Sequence, residues 1–113
     1  MVKPRARQHS SPRHGEVWWL EDPDIGRRPA LVLTRDSVID VLTGLLIAPV
    51  TRTVRGIPSE VVLDVDDGMP ERSTVSLDNL RTVPKAMLTG RVTDLSVVKR
   101  QQVCDALRFA VDC

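Results

Sequence analysis

The sequence predicts a mainly β domain, a small antiparallel barrel that carries one C-terminal amphipathic helix. At least five short apolar or alternating runs are separated by turn-forming residues, which is typical of short strands joined by tight turns. After these runs, the apolar residues change to helical spacing near the C-terminus. A chain of 113 residues is the size of one domain with one modest core.

Residues 1–13 are predicted to be a disordered basic tail, and residues 14–113 to be the folded domain. The tail has few apolar side chains to bury and carries basic residues without any acid. These basic residues are Lys3, Arg5, Arg7 and Arg13. A solvated leader is the simpler interpretation of this tail, and binding of RNA phosphates is the alternative.

The first two predicted strands flank a turn. The first strand covers residues 15–20, and the turn over 21–26 is rich in Asp, Pro and Gly. The second strand covers 29–34, because Pro29 lacks an N–H donor and suits the first position of a strand. Arg28 is therefore expected where a flexible loop becomes a rigid strand, so that it is held still yet reaches a ligand.

The middle of the chain contains the strongest strand signal. Residues 44–51 form an apolar run, in which Pro49 predicts an edge position or a bulge. Before it, residues 38–43 begin either a short strand or a helical turn, and periodicity does not separate the two. Residues 59–65 form a further strand with alternating apolar residues on one face, namely Val61, Leu63 and Val65.

Two short strands, 73–77 and 80–83, flank Asp78 and Asn79 before the pattern becomes helical. Thr93 is the predicted N-cap of the helix, and the acid that follows it suits the helix dipole. The apolar face of this helix is predicted to pack on the barrel or in a dimer. Its members are Leu95, Val98, Gln102, Val103, Ala106, Leu107, Ala110 and Val111.

Several functional classes lack their sequence signals. No run approaches the roughly 20 apolar residues that span a bilayer, and no signal peptide is recognised, so a cytoplasmic protein is expected. Cys104 and Cys113 are then expected to be free thiols in a reducing compartment. No metal-ligand spacing and no Gly-rich phosphate loop is found, and we expect neither a metal nor a cofactor.

Arg28 and Thr51, at the ends of predicted strands, are the first candidates for chemistry. A fixed guanidinium grips two oxygens of a phosphodiester, and a fixed hydroxyl donates one more hydrogen bond. If the ligand is RNA, its own 2′-OH is the nucleophile, and neither a nucleophilic side chain nor a metal is needed. Arg52 and Arg55 follow in the next loop. The plainer alternatives are surface salt bridges for the arginines and a merely structural threonine.

His9 and His14 are the obvious acid–base candidates by residue type. Both lie in or beside the predicted tail, which makes a fixed catalytic position for either one the weaker interpretation.

In these same residues the chain resembles the MazF/PemK family of toxin endoribonucleases, the toxin half of toxin–antitoxin pairs. The resemblance covers about residues 14–111 and rests on several blocks that occur in order with short gaps. These blocks are residues 15–18, 28–33, 48–51, 58–63, 73–83 and 90–91.

The resemblance implies an SH3-like barrel that acts as a homodimer, with single-stranded RNA crossing a groove at the dimer interface. It implies metal-independent cleavage that leaves a 2′,3′-cyclic phosphate and a 5′-OH, and a cognate antitoxin that inhibits by occupying the same groove. The family's catalytic Arg and Thr fall on Arg28 and Thr51. The RNA-binding residues expected from the resemblance and the charges together are Arg27, Arg52, Arg55, Asp78 and Asn79.

The chain also departs from the family pattern. The first loop is shorter than in many relatives and lacks a Gly-x-Glu-Gln stretch, which bears on substrate sequence and antitoxin fit. In the Kid/PemK branch an Arg, an Asp and a loop His form an acid–base set. Here Asp78 matches that Asp, whereas Ser76 replaces the Arg, the loop His is absent, and Asn79 stands where Gln is usual. We therefore expect Asp78 to be an RNA contact only.

Two alternative functions fit the same barrel. The gyrase poison CcdB has this fold and acts by binding a protein without catalysis. A degenerate family member that keeps only antitoxin binding is the other alternative. The Arg28 and Thr51 pair favours the enzyme, because a poison needs neither residue.

Overall fold

The computed structural model of the chain describes residues 11–111. His9, Cys113 and the predicted tail up to residue 10 lie outside the described residues. Of the predicted tail, residues 11–13 are described, and Pro12 is buried there. The predicted boundary between tail and domain stays a prediction.

Within residues 11–111, seven strands form one curled antiparallel half-barrel sheet, and a helix follows toward the C-terminus. The predicted SH3-like, mainly β fold is therefore confirmed. The strands are β1 (Glu16–Asp22), β2 (Gly26–Val32), β3 (Gly44–Thr51), β4 (Glu60–Leu63), β5 (Ser73–Ser76), β6 (Arg81–Pro84) and β7 (Leu88–Asp94). The helices are α1 (Asp36–Ile39) and α2 (Val97–Val111), and short 3-10 turns cover Val65–Asp67 and Lys85–Met87.

The sheet has the strand order β4-β5-β3-β2-β1-β7, and β6 pairs with β3 outside this path. β3 is therefore the central strand and contacts three others. It pairs with β2 through residues 47–49, with β6 through 44–47 and with β5 through 50 and 51.

The predicted strand over 44–51 is confirmed, but the edge position or bulge predicted from Pro49 is wrong. Pro49 pairs with Ala30 of β2 in an unbroken register. On its other side, β3 changes its neighbour from β6 at Ile47 to β5 at Val50. Pro49 is tolerated because no strand needs its missing N–H on that side.

The second strand begins three residues earlier than predicted. β2 starts at Gly26, which has a left-handed φ of 99°, so only residues 23–25 form the turn. Arg28 is therefore a strand residue paired with Leu20, and the expected loop position for it is wrong. Pro29 fits inside β2 because pairing with β3 begins only at Ala30.

The strand over 59–65 is shorter than predicted. β4 ends at Leu63, because the Asp64 side chain caps the 3-10 turn that follows by accepting from the Val65 N–H at 2.8 Å. Val61 and Leu63 are buried as expected. Val65 is 62% exposed, and its predicted place on the buried face is wrong.

The helix begins later than predicted, since Thr93 belongs to β7. The Thr93 hydroxyl donates to the Asp67 carbonyl at 2.8 Å and is not a cap. α2 begins at Val97, and the Ser96 hydroxyl accepts from the Lys99 N–H at 3.2 Å as a cap does. The strand β7 was not predicted as an element.

Two apolar clusters form the core. One includes Leu31, Ala48 and Val75 together with Val103 and Ala106 of α2. The other includes Trp18, Leu45, Ile47 and Val83 together with Ile39 of α1. Of the predicted helix face, Val103 and Ala106 are buried, while Val98 and Val111 are exposed. Among residues 11–111, no helix has the length and apolar character needed to cross a membrane.

Substitution of Gly68 by Ala is expected to destabilise the fold more than substitution of Gly26. Both glycines have positive φ, so each Ala costs about 1–2 kcal/mol of backbone strain. At Gly68 the new Cβ would also overlap the Thr93 hydroxyl, which adds about 1–3 kcal/mol. At Gly26 no atom lies within 4 Å of that position. Urea denaturation at one fixed protein concentration measures both variants, and equal midpoints would contradict the account.

Candidate active site

The open end of the β2–β3 ladder brings the two first candidates together. Ala30 and Pro49 are the last paired residues at this end, and Arg28 and Thr51 lie two residues beyond them on their respective strands. The same register would place Arg28 opposite Thr51. The strands separate there instead, because β1 holds Arg28 through Leu20 while β5 holds Thr51 through Thr74.

A groove of about 500 Å³ lies at this separation, and both Arg28 and Thr51 line it. The polar residues that line the groove include Arg27 and Arg52, and the apolar ones include Trp19. A groove that combines several guanidiniums and hydroxyls with apolar surface suits a ligand with phosphates and bases.

The three groove arginines differ in their partners. The Arg27 guanidinium lies over the Trp19 ring, 4.2 Å from its centroid, and Arg52 Nη1 is 3.5 Å from Glu71 Oε2. The Arg28 side chain makes no hydrogen bond or ion pair with any residue in the range 11–111. It is exposed and available to an anionic ligand.

The Thr51 hydroxyl is also available to a ligand. It donates to the Thr53 carbonyl at 3.4 Å, which is long for an O–H···O hydrogen bond. The backbone of Thr51, in contrast, is fixed in the ladder to β5. A ligand oxygen in the groove can therefore replace the weak internal bond without moving the strand.

Arg55, Asp78 and Asn79 lie in a different environment from the groove residues. None of them lines the groove, and all three make hydrogen bonds within the protein instead. Asn79 Nδ2 donates to the Ser76 hydroxyl at 2.9 Å, and Arg55 Nη2 is 3.4 Å from the same oxygen. Asp78 Oδ2 accepts from the Ser59 hydroxyl at 2.5 Å. RNA contacts by these three residues stay a prediction.

Glu60 anchors the loop that follows Thr51. Its side chain is only 3% exposed. Oε1 accepts from the Arg55 and Gly56 amides at 3.0 and 3.1 Å, and Oε2 accepts from Arg55 Nε at 2.6 Å. Burial raises the pKa of Glu60, but the bonds from Arg55 and Gly56 outweigh burial, and the pKa is lowered from its usual 4.5.

His14, the other titratable candidate, lies outside the groove. His14 Nδ1 is 3.0 Å from the Leu33 carbonyl oxygen. The backbone N–H of His14 donates to Asp36 Oδ1 at 2.7 Å. His14 does not line the groove. Within residues 11–111, no group of three or more His, Cys, Asp and Glu side chains is arranged to hold a metal ion. Cys104 is exposed and forms no disulfide with another residue of the described part of the chain.

Sequence reasoning missed Trp19 and Glu60 as parts of the site. Adjacent strand residues face opposite sides of a sheet, so the Trp18-Trp19 pair could have indicated that one indole faces away from its neighbour. Glu60 gave no such signal, because its partners Arg55 and Ser76 are brought to it only by the loop and by β5.

The fold and the groove together define a small protein with a curled half-barrel sheet and an arginine-lined groove. Residues 13–111 match the family model described as "PemK-like, MazF-like toxin of type II toxin-antitoxin system". The chain therefore belongs to this toxin family, and the family expected from the sequence is confirmed.

Individual relatives agree with the family assignment. A protein of Mycobacterium tuberculosis named "Probable endoribonuclease MazF5" is 48% identical over 90% of this chain and 94% of its own length. The solved structure of the Mycobacterium tuberculosis toxin MazF-mt6 is 33% identical, with a TM-score of 0.79 over 86% of this chain and 96% of that chain. A MazE-MazF structure from Deinococcus radiodurans is 26% identical, with a TM-score of 0.77 over 90% and 96%.

Substitution of Glu60 by Gln is expected to destabilise the fold by about 1.5–3 kcal/mol at pH 7, because three bonds lose their charged acceptor. A lowered pKa in the folded state stabilises the fold above the unfolded value of 4.5, and this contribution is lost as the pH falls through the folded pKa. The difference between wild type and Glu60→Gln should therefore shrink below about pH 4.5.

Urea denaturation at pH 7 and at pH 3 measures this difference. The matched control is Glu71→Gln, since the Arg52–Glu71 pair is exposed and should contribute less than about 1 kcal/mol. If Glu60→Gln lowers the free energy of unfolding at pH 7 by as little as Glu71→Gln does, Glu60 does not anchor the loop. A larger loss at pH 3 than at pH 7 would also contradict this role.

Proposed function

We propose that this toxin is a sequence-selective endoribonuclease that cleaves single-stranded RNA in the groove between Arg28 and Thr51. The observation that carries the proposal is their convergence at the open end of the β2–β3 ladder, in a family whose relatives are named endoribonucleases. The gyrase-poison alternative is not favoured, because nothing in its mode of action needs this pair.

The proposed reaction uses the substrate's own nucleophile. The 2′-oxygen attacks the adjacent phosphorus, the P–O5′ bond breaks, and the products are a 2′,3′-cyclic phosphate and a 5′-OH. One proton leaves the 2′-OH and one reaches the O5′ leaving group. This chemistry needs no metal, since neither the nucleophile nor the leaving group has to be coordinated.

Arg28 and Thr51 have separate roles in this reaction. Arg28 stays protonated and binds the non-bridging oxygens of the scissile phosphate as their negative charge increases in the transition state. Thr51 donates its hydroxyl hydrogen to one of these oxygens. Each donor is expected to contribute about 100- to 1000-fold to the rate.

The neighbouring residues bind the strand on either side of this phosphate. Arg27 and Arg52 line the same groove and are proposed to contact flanking phosphates. We also propose RNA contacts outside the groove, by Arg55, Asp78 and Asn79. The Arg55 side chain is 47% exposed despite its internal bonds. Affinity for RNA should then fall as the salt concentration rises.

The protein is proposed to act as a cytoplasmic homodimer that a cognate antitoxin inhibits. The relative from Deinococcus radiodurans was solved as a MazE-MazF complex, which supports an antitoxin partner for this chain. The antitoxin is expected to cover the groove and so to compete with RNA.

Arg28→Ala and Thr51→Val should each reduce cleavage of a long single-stranded RNA by about 100-fold or more, which corresponds to at least about 2.7 kcal/mol of transition-state stabilisation. The assay contains EDTA, and the new RNA ends are sequenced. Thr51→Ser keeps the hydroxyl and should retain activity within a few-fold. Arg35→Ala is the matched control, because Arg35 is exposed and does not line the groove.

Circular dichroism and the oligomeric state of each variant show whether it is folded. Near-wild-type cleavage by folded Arg28→Ala and Thr51→Val would reject the site. Intact RNA with folded wild-type protein would reject the ribonuclease function itself.

A further inference from the structure

Trp18 and Trp19 are adjacent in β1 but have opposite environments. Trp18 is 2% exposed, and its Nε1–H donates to Glu16 Oε1 at 2.9 Å. Trp19 is partly exposed and lines the groove with Arg28. Its Nε1–H has no hydrogen-bond partner within residues 11–111. The Trp18 indole is therefore part of the core, whereas the Trp19 indole lies at the surface of the groove.

The Arg27 guanidinium lies over the Trp19 ring at 4.2 Å from the centroid. Arg27 Nε is also 4.0 Å from Glu21 Oε2 in an exposed ion pair, so the indole is the closer neighbour that orients the guanidinium plane. Its side chain is 58% exposed, which leaves the guanidinium accessible from the solvent side. Gly90, the partner of Trp19 in β7, contributes no side chain that would cover the indole.

We propose that Trp19 and Arg27 form a base-stacking subsite for a nucleotide beside the scissile phosphate. This inference rests on the proposed RNA-cleaving function. Unstacked bases of single-stranded nucleic acids stack on aromatic rings and on arginine planes. The position fits, because Trp19 and Arg27 line the same groove as Arg28 and Thr51.

The subsite would give the groove a function that its charges cannot provide. Guanidiniums bind phosphates wherever these occur along the strand, whereas a stacked base fixes one nucleotide in place. Fixing that base orients the neighbouring sugar and phosphate toward Arg28 and Thr51. Because every base has a π face, the subsite contributes affinity and register with little sequence preference.

The test compares two single-stranded DNA dodecamers that carry equal numbers of phosphates, d(A)12 and an abasic 12-mer. Both lack the 2′-OH and so bind without being cut. Fluorescence anisotropy at one fixed salt concentration gives the ratio of their dissociation constants. Wild type should bind d(A)12 about 5- to 100-fold more tightly than the abasic strand, the range expected for one stacked base.

Trp19→Leu should lower this ratio toward one, and Trp19→Phe should keep most of it because the aromatic face remains. Arg28→Ala removes a phosphate contact, so it should weaken the binding of both dodecamers equally. The ratio of the two dissociation constants should then stay unchanged. An unchanged ratio in folded Trp19→Leu would overturn the subsite.

A second measurement needs only the wild-type protein, in case Trp19→Leu does not fold. Quenching of tryptophan fluorescence by d(A)12 but not by the abasic strand supports the subsite, since Trp18 is shielded from the ligand. Equal quenching by both strands, or equal affinities, would overturn it. Cleavage of RNA by the same preparation decides the proposed function separately.

Discussion

The short ladder between β2 and β3 fixes the geometry of the groove. Its paired residues Leu31 and Ala48 are buried in the core, so the position of both strands is fixed there. Beyond the ladder, β1 holds one strand and β5 holds the other, and a groove opens between them. Arg28 and Thr51 are thus placed by backbone pairing on rigid strands, which is the more precise way to build a site.

The arrangement of charge around the groove separates residues that hold the protein together from residues that are left for a ligand. Glu60 is nearly buried and uses the Arg55 guanidinium and two backbone amides to fix the loop after Thr51. Arg28 has no such partner among the described residues. An unpaired guanidinium beside a weakly bonded hydroxyl binds an added phosphate at little cost, because few internal interactions must be broken first.

Much of this architecture was predictable from the sequence, and the failures have physical causes. The continuous apolar run over 44–51 predicted β3 to the residue, because a central strand is apolar on both faces. The errors at Pro29 and Pro49 arose because each proline lies where its strand lacks a paired neighbour on one side, and sequence patterns do not show such local gaps. β7 was missed because Gly90 interrupts the apolar alternation between Leu88 and Val92. The candidate pair was predictable, whereas the Glu60 network depends on contacts that only the folded loop creates.

A crystal structure of the protein with a bound single-stranded oligodeoxynucleotide would show whether the separation of β2 and β3 binds a phosphate. We expect one phosphate to lie between β2 and β3, with its non-bridging oxygens about 2.7–3.2 Å from the Arg28 guanidinium and the Thr51 hydroxyl. A strand whose phosphates contact Arg55 or another surface, while Arg28 stays unpaired in solvent, would contradict it.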